Sequence, residues 1–219
     1  MPAPFQAIVF DNDGLLLDTE EAWTRAEVDL FARYQRSFTM EHKRSLLGSS
    51  RTIAAAKLEA MLERPGAGER LMDELHELVM EEALHGTPPR PGALDLLAAL
   101  KQTGTPIGLA SNSTRSFVER TLGGAGLLDG HFATIVTADD VANPKPAPDL
   151  YLAACEALRA DPADCAALED SAPGVASAHA AGLFVIAVPY FAETTFDEAD
   201  LTAPSLAHPS VAAALGVNG

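Results

Sequence analysis

The sequence predicts an α/β fold, a doubly wound parallel sheet with an α-helical cap inserted after its first strand. Three observations carry that expectation. Short apolar runs recur at Ala7–Phe10, Pro106–Ala110, Ala133–Thr137, Cys165–Leu168 and Phe184–Val188. They are continuous rather than alternating, as befits strands covered on both faces. Helical patterns that stop at glycine separate the later runs: ALDLLAALKQTG closes at Gly104, and APGVASAHAAG closes at Gly182 with Pro173 near its start. The stretch from Leu17 to Pro88 holds no convincing strand, only helical periodicity.

Strands alternating with helices imply right-handed crossovers and a Rossmann-like core, assigned to residues 1–16 and 88–219. Residues 17–87 are the expected helical cap. In its first helix Asp18, with Glu21 three residues on, is the expected N-cap. Trp23, Ala26, Leu30, Phe31 and Tyr34 then share one face. A second helix spans Met40–Leu47 and stops at Gly48, and a third turns Ala54, Leu58, Met61 and Leu62 inward before the breaker RPG. The fourth carries Leu71, Leu75, Leu78 and Val79 and ends at Gly86. GTPPRPG, from Gly86 to Gly92, is a stiff connector back to the sheet. Beyond Tyr190, FDEADLTAPSL reads as a short edge strand and a terminal helix.

A chain of 219 residues buries a full core without disulfide staples. Its formal net charge of −16 argues against nucleic acid or an anionic membrane as partner, since both demand a basic footprint. An anionic ligand needs specific cations to hold it against that field. Cys155 and Cys165 are too few for a disulfide framework and lack zinc-site spacing, so buried, reduced thiols are expected. The start, MPAPFQAIVF, has no basic leader segment and an apolar run too short to span a bilayer, so the expected location is cytoplasmic. The six histidines show no metal-site spacing, and no sustained heptad is left over, so the expected state is a monomer.

The stretch VFDNDGLLLDTE poses the chemical question, because an apolar strand ends there in two aspartates one residue apart. Burying unpaired charge is costly, so something must neutralise them. In a doubly wound sheet, ligands sit beyond the carboxyl ends of the strands. Those ends carry Asp11-Asn12-Asp13-Gly14, Ser111-Asn112-Ser113, Lys145 within NPKPAPD, and Glu169-Asp170-Ser171. Singly, each has an ordinary reading as a solvated turn, a helix cap, a surface charge or a helix start. Gathered at one end of one sheet, they favour chemistry. Clustered carboxylates select a hard cation, and Mg²⁺ takes oxygen ligands while leaving room for a substrate phosphate. Ser111 and backbone N–H groups can donate to phosphoryl oxygens, and Lys145 can offset the charge of an anionic nucleophile meeting an anionic phosphate. One aspartate can attack phosphorus. The other can protonate the leaving oxygen and later deprotonate water.

DNDG, SNS, NPKPAPD and LEDSAPG resemble, in order, the four motifs of the haloacid dehalogenase superfamily, in its phosphatase branch with an inserted helical cap. The resemblance covers nearly the whole chain. It implies Asp11 as nucleophile and Asp13 as general acid and base. It implies Mg²⁺ held by Asp11, the Asp13 carbonyl and Asp170, with Glu169 alongside. It further implies Ser111, Asn112 and Lys145 around the transferring phosphoryl group, and a cis peptide after Lys145. Asp13 separates this chain from the founding dehalogenases, which lack that second aspartate. Trp23 stands where the sugar phosphomutases of the branch carry a histidine. DGLLLDTEEAW is similar instead to the sugar- and polyol-phosphate phosphatases, and GSSR (Gly48–Arg51) to the substrate-facing cap loop. Arg51 and Trp23 are therefore candidate substrate contacts, against plainer readings as a surface charge and a cap-packing residue. The implied activity is hydrolysis of a small phosphorylated metabolite, with a β-phosphoglucomutase-like mutase or a phosphoglycolate phosphatase as alternatives. A signalling receiver domain fits poorly, because it would have no cap and its lysine would follow the acidic residues.

Overall fold

The computed structural model describes residues 4–217. Expectations attached to residues 1–3 and 218–219, at the two ends of the assigned core, lie outside the described residues. Six strands form one sheet: β1 (Ala7–Phe10), β2 (Ile107–Ser111), β3 (Thr134–Thr137), β4 (Cys165–Glu169), β5 (Phe184–Ala187) and β6 (Leu201–Thr202). Their order is β3-β2-β1-β4-β5-β6, and every neighbouring pair runs parallel. The chain winds from β1 out to β3, then returns to the other side of β1 and winds out to β6. The direction reverses between β1 and β4, which opens a crevice at their carboxyl ends.

Alternate residues of β1 feed two cores. Ile8 and Phe10 pack with Leu97, Leu109, Val118 and Leu168 under α5 (Ala93–Thr103), α6 (Arg115–Gly124) and α9 (Pro209–Ala214). Ala7 and Val9 pack with Tyr151, Ala167, Val175 and Val185 under α7 (Asp149–Leu158) and α8 (Ala172–Ala180). All four β1 residues are at most 1% exposed, which is why the run is apolar without alternation. Pro106 and Ala133, expected within strands, lie just outside them. Proline has no N–H for the ladder, and the Pro106 carbonyl accepts from Ile8 instead. Ser111 and Glu169 lie inside their strands, so the sheet itself carries them to the crevice. The sequence reading left α6 and α7 unassigned.

Between β1 and α5 lie α1 (Glu20–Arg33), α2 (Met40–Leu46), α3 (Arg51–Leu62) and α4 (Gly68–Glu82). They bury their own apolar cluster, including Ala26, Leu30, Phe31, Leu58, Leu62, Leu71, Leu75 and Val79, and Phe117 of α6 joins it from the sheet side. The chain leaves and rejoins the sheet side by side: the Asp18 N–H donates to the Pro88 carbonyl and the Arg90 N–H to that of Leu16, each at 2.8 Å.

This crossing corrects the expected cap at Asp18. α1 begins at Glu20, and Thr19 occupies the N-cap position without a side-chain capping bond. The Asp18 backbone is committed to Pro88 and the Thr19 hydroxyl to Asp13. Tyr34 lies past the end of α1, its hydroxyl donating to Glu74 at 2.9 Å. α4 stops at Glu82, and a 3-10 turn over Ala83–His85 intervenes before Gly86. Cys155 and Cys165 are buried and free. No helix among the described residues is long and apolar enough to cross a membrane.

Candidate active site

The tip of β1 positions the first acidic pair. The Asp11 N–H extends the sheet ladder to the Leu168 carbonyl at 3.0 Å, and the chain then turns back, with Leu16 and Leu17 donating to the Asn12 carbonyl. Gly14 sits in this turn at φ +79°, and a Cβ there would lie 2.2 Å from Asp170 Oδ2. Only glycine lets the loop come this close to the end of β4. Three hydroxyls hold the Asp13 carboxylate: Thr19 donates to Oδ1, and Ser111 and Ser113 both donate to Oδ2, each at 2.9 Å.

Lys145 arrives on the loop after β3 and is 2% exposed. Its ammonium donates to Asp11 Oδ1 and Glu169 Oε1, each at 2.6 Å, and to the Ala110 carbonyl at 2.8 Å. Tyr151 donates a further bond to Glu169 Oε1 at 2.6 Å. Burial alone would depress the Lys145 ammonium, but Asp11 and Glu169 override it and hold it above the ordinary lysine value. Burial pushes Asp11 well above the usual carboxylate range, with Lys145 opposing and Glu169 and Asp13 adding to the rise. Asp170 is raised likewise, by burial first and then by Asp11, Glu169 and Glu20.

One cation is thus shared among too many buried acids. Ligand atoms of Asp11, Glu169 and Asp170 lie within 4.8 Å of one another, and Asp170 Oδ2 is buried with no hydrogen-bond partner. An all-oxygen cluster with an orphaned carboxylate oxygen fits a hard divalent cation such as Mg²⁺.

Asp11, Asp13, Trp23, Arg51, Asn112, Lys145 and Asp170 line one cavity between the helical insertion and the sheet, while Ser111 and Glu169 stand behind it, fully buried. The side chains are not all free. The Asn112 amide donates to the Gly48 and Lys145 carbonyls, both at 3.1 Å, and its oxygen accepts from the Lys145 N–H at 2.8 Å. It therefore ties the GSSR loop to the Lys145 loop. The Lys145–Pro146 peptide is cis. Arg51 is bonded to Glu69 and Asp73 of α4, at 3.0 and 2.7 Å. Trp23 is half-buried and packs on Phe117 with ring centroids 5.3 Å apart.

Sequence reasoning missed Thr19 and a buried ionic group, Lys43 with Glu20 and Glu27, which also lines the cavity. Glu20 and Glu27 lie seven residues apart, on the same face of α1 as buried Leu30 and Phe31. That pattern was the available signal.

Known proteins carry the same architecture. A sequence profile for haloacid dehalogenase-like hydrolases matches residues 5–182. The chain is 35% identical to putative phosphatase YhcW of Bacillus subtilis, over 84% of this chain and 83% of that protein. It is 31% identical to hexitol phosphatase B of Escherichia coli, over 86% and 85%. Two Arabidopsis thaliana relatives are longer, and the chain spans 49% and 18% of them. A crystal structure of CbbY from Rhodobacter sphaeroides in complex with phosphate superposes with TM-score 0.84 and 29% identity, covering 97% of this chain and 100% of that one. The chain belongs to the haloacid dehalogenase-like hydrolases.

Proposed function

We propose that the protein is a Mg²⁺-dependent phosphatase that hydrolyses a small sugar or polyol phosphate monoester through an aspartyl phosphate on Asp11. The carrying observation is the buried set at the cavity floor: Lys145 bonded to both Asp11 and Glu169, beside Asp170 with an unpartnered oxygen. Hexitol phosphatase B and YhcW, both phosphatases by name, support the reaction class.

Lys145 occupies one oxygen of Asp11 and leaves Oδ2 to attack phosphorus. As that O–P bond forms, the P–O bond to the alcohol breaks, and protonated Asp13 gives its proton to the departing oxygen. Asp13, now a carboxylate, takes a proton from water as the water attacks phosphorus. The Asp11–phosphorus bond breaks and inorganic phosphate leaves. Thr19, Ser111 and Ser113 hold Asp13 in place for both transfers. Asp11, Asp170 and the Asp13 backbone carbonyl, with Glu169 behind them, would hold Mg²⁺. When bound, Mg²⁺ offsets the negative charge of the phosphoryl oxygens and the aspartates. The helices over the cavity exclude bulk water while the acyl phosphate lasts.

The test is phosphate release from hexose, pentose and polyol phosphates, phosphoglycolate and nucleotides, with Mg²⁺ and with a chelator. Release from sugar or polyol monoesters that stops with the chelator is expected. Release that is insensitive to the chelator, or confined to nucleotides, overturns the reading.

A further inference from the structure

The cavity lining among the described residues contains three fixed cations, Lys43, Arg51 and Lys145. Each is already bonded to two carboxylates: Lys145 to Asp11 and Glu169, Lys43 to Glu20 and Glu27, Arg51 to Glu69 and Asp73. The Lys145 set belongs to the reacting phosphoryl group. Lys43, Glu20 and Glu27 all line the cavity, whereas Glu69 and Asp73, the partners of Arg51, are exposed side chains outside its lining.

The Lys43 group is the more telling. Lys43, Glu20 and Glu27 are 2%, 6% and 4% exposed, amid the apolar wall of Leu46, Ala54, Met72 and Leu75. A buried ionic triad gives less stability than apolar packing of the same volume, so the fold itself does not call for it. The Lys43 ammonium reaches Glu20 Oε2 at 2.6 Å, Glu27 Oε2 at 3.1 Å and the Glu20 carbonyl at 3.3 Å, which commits its three protons. Oε1 of each glutamate accepts no hydrogen bond from a described residue. Two carboxyl groups, each with an unbonded oxygen and set in an apolar wall, select a ligand with O–H donors on a carbon chain. A phosphate dianion has no proton to donate and would meet like charge.

We infer that Glu20 and Glu27, held by Lys43, form the subsite for the uncharged, hydroxyl-bearing end of a monophosphate ester, and that this subsite rejects a second phosphate. The inference rests on the phosphatase reading. It is tested by measuring kcat/KM, with Mg²⁺ at pH 8, for pentitol and hexitol monophosphates, alkyl phosphates of the same chain length and the matching polyol bisphosphates.

The native enzyme is expected to prefer the best polyol monophosphate by about 100-fold or more over both comparators, because a site built to bond hydroxyls rejects analogues without them. Glu27→Gln and Glu20→Gln are each expected to shrink the polyol-to-alkyl ratio about 10-fold, mainly through the polyol KM. The alkyl phosphate reports on folding and on the phosphoryl site. Bisphosphates or alkyl phosphates used as well as polyol monophosphates overturn the subsite but leave the phosphatase reading standing. A ratio unchanged in both variants does the same. Release of phosphate from none of these compounds overturns the subsite, and the same failure with hexose and pentose phosphates overturns both.

Discussion

At the scale of single residues, the site is defined by what each buried charge is bonded to. Asp11 keeps one free carboxylate oxygen because Lys145 holds the other. Asp11→Asn removes the proposed nucleophile and little else, so turnover should fall by about 10⁴-fold or more while circular dichroism is unchanged. Native-like activity in that variant would assign the attack to another group. Glu27 gives a pH test. Burial, opposed by Lys43 and aided by Glu20, lifts its carboxyl from the ordinary 4.5 to about 7. Its folded pKa is raised, so the folded state binds the proton more tightly than the unfolded state. The contribution to stability is greatest below pH 4.5 and declines as pH rises toward 7. Glu27→Gln mimics the protonated form, so its Tm relative to the native protein should be higher at pH 8 than at pH 5. A difference independent of pH would contradict this origin.

At the scale of elements, strand ends and loops bring these residues together. The sheet and the acidic residues at its rim were legible in the sequence because parallel strands read as apolar runs with abrupt polar ends. The start of α1 was not legible. Asp18 satisfies every local rule for an N-cap, but the crossing to Pro88 claims its backbone, a pairing seventy residues away that no local pattern reveals. Lys43 was hidden for a similar reason, since its partners lie on a different helix. Asn112 was legible as a strand-end polar residue, yet its amide binds two loops rather than lying free in the cavity. Asn112→Ala should therefore lower kcat about 10-fold or more and destabilise the fold by roughly 1–3 kcal/mol, as leaving buried polar partners unmatched does. Steady-state kinetics and denaturant melts together would show it, and a pure KM effect would contradict a role in holding Lys145. Gly14→Ala would drive a methyl group onto Asp170 Oδ2 in a backbone conformation that favours glycine, and loss of Mg²⁺ binding in a calorimetric titration is expected.

At the scale of the whole molecule, a chain of net charge −16 gathers several of its acids around one buried lysine at the switch point of its sheet. A cation that binds there should stabilise the folded state. Millimolar Mg²⁺ should raise the Tm of the native protein and not that of Asp170→Asn, and Ca²⁺ in its place should inhibit, since it prefers more ligands and longer bonds. The central claim is that phosphoryl transfer passes through Asp11. It is tested most directly by acid-quenching the enzyme during turnover of its best substrate and locating any added phosphoryl group by peptide mass spectrometry. One phosphoryl group on the peptide containing Asp11, absent in Asp11→Asn and after chelation of Mg²⁺, is the predicted result. A phosphoryl group on another residue, or rapid turnover with none trapped at any quench time, would contradict it.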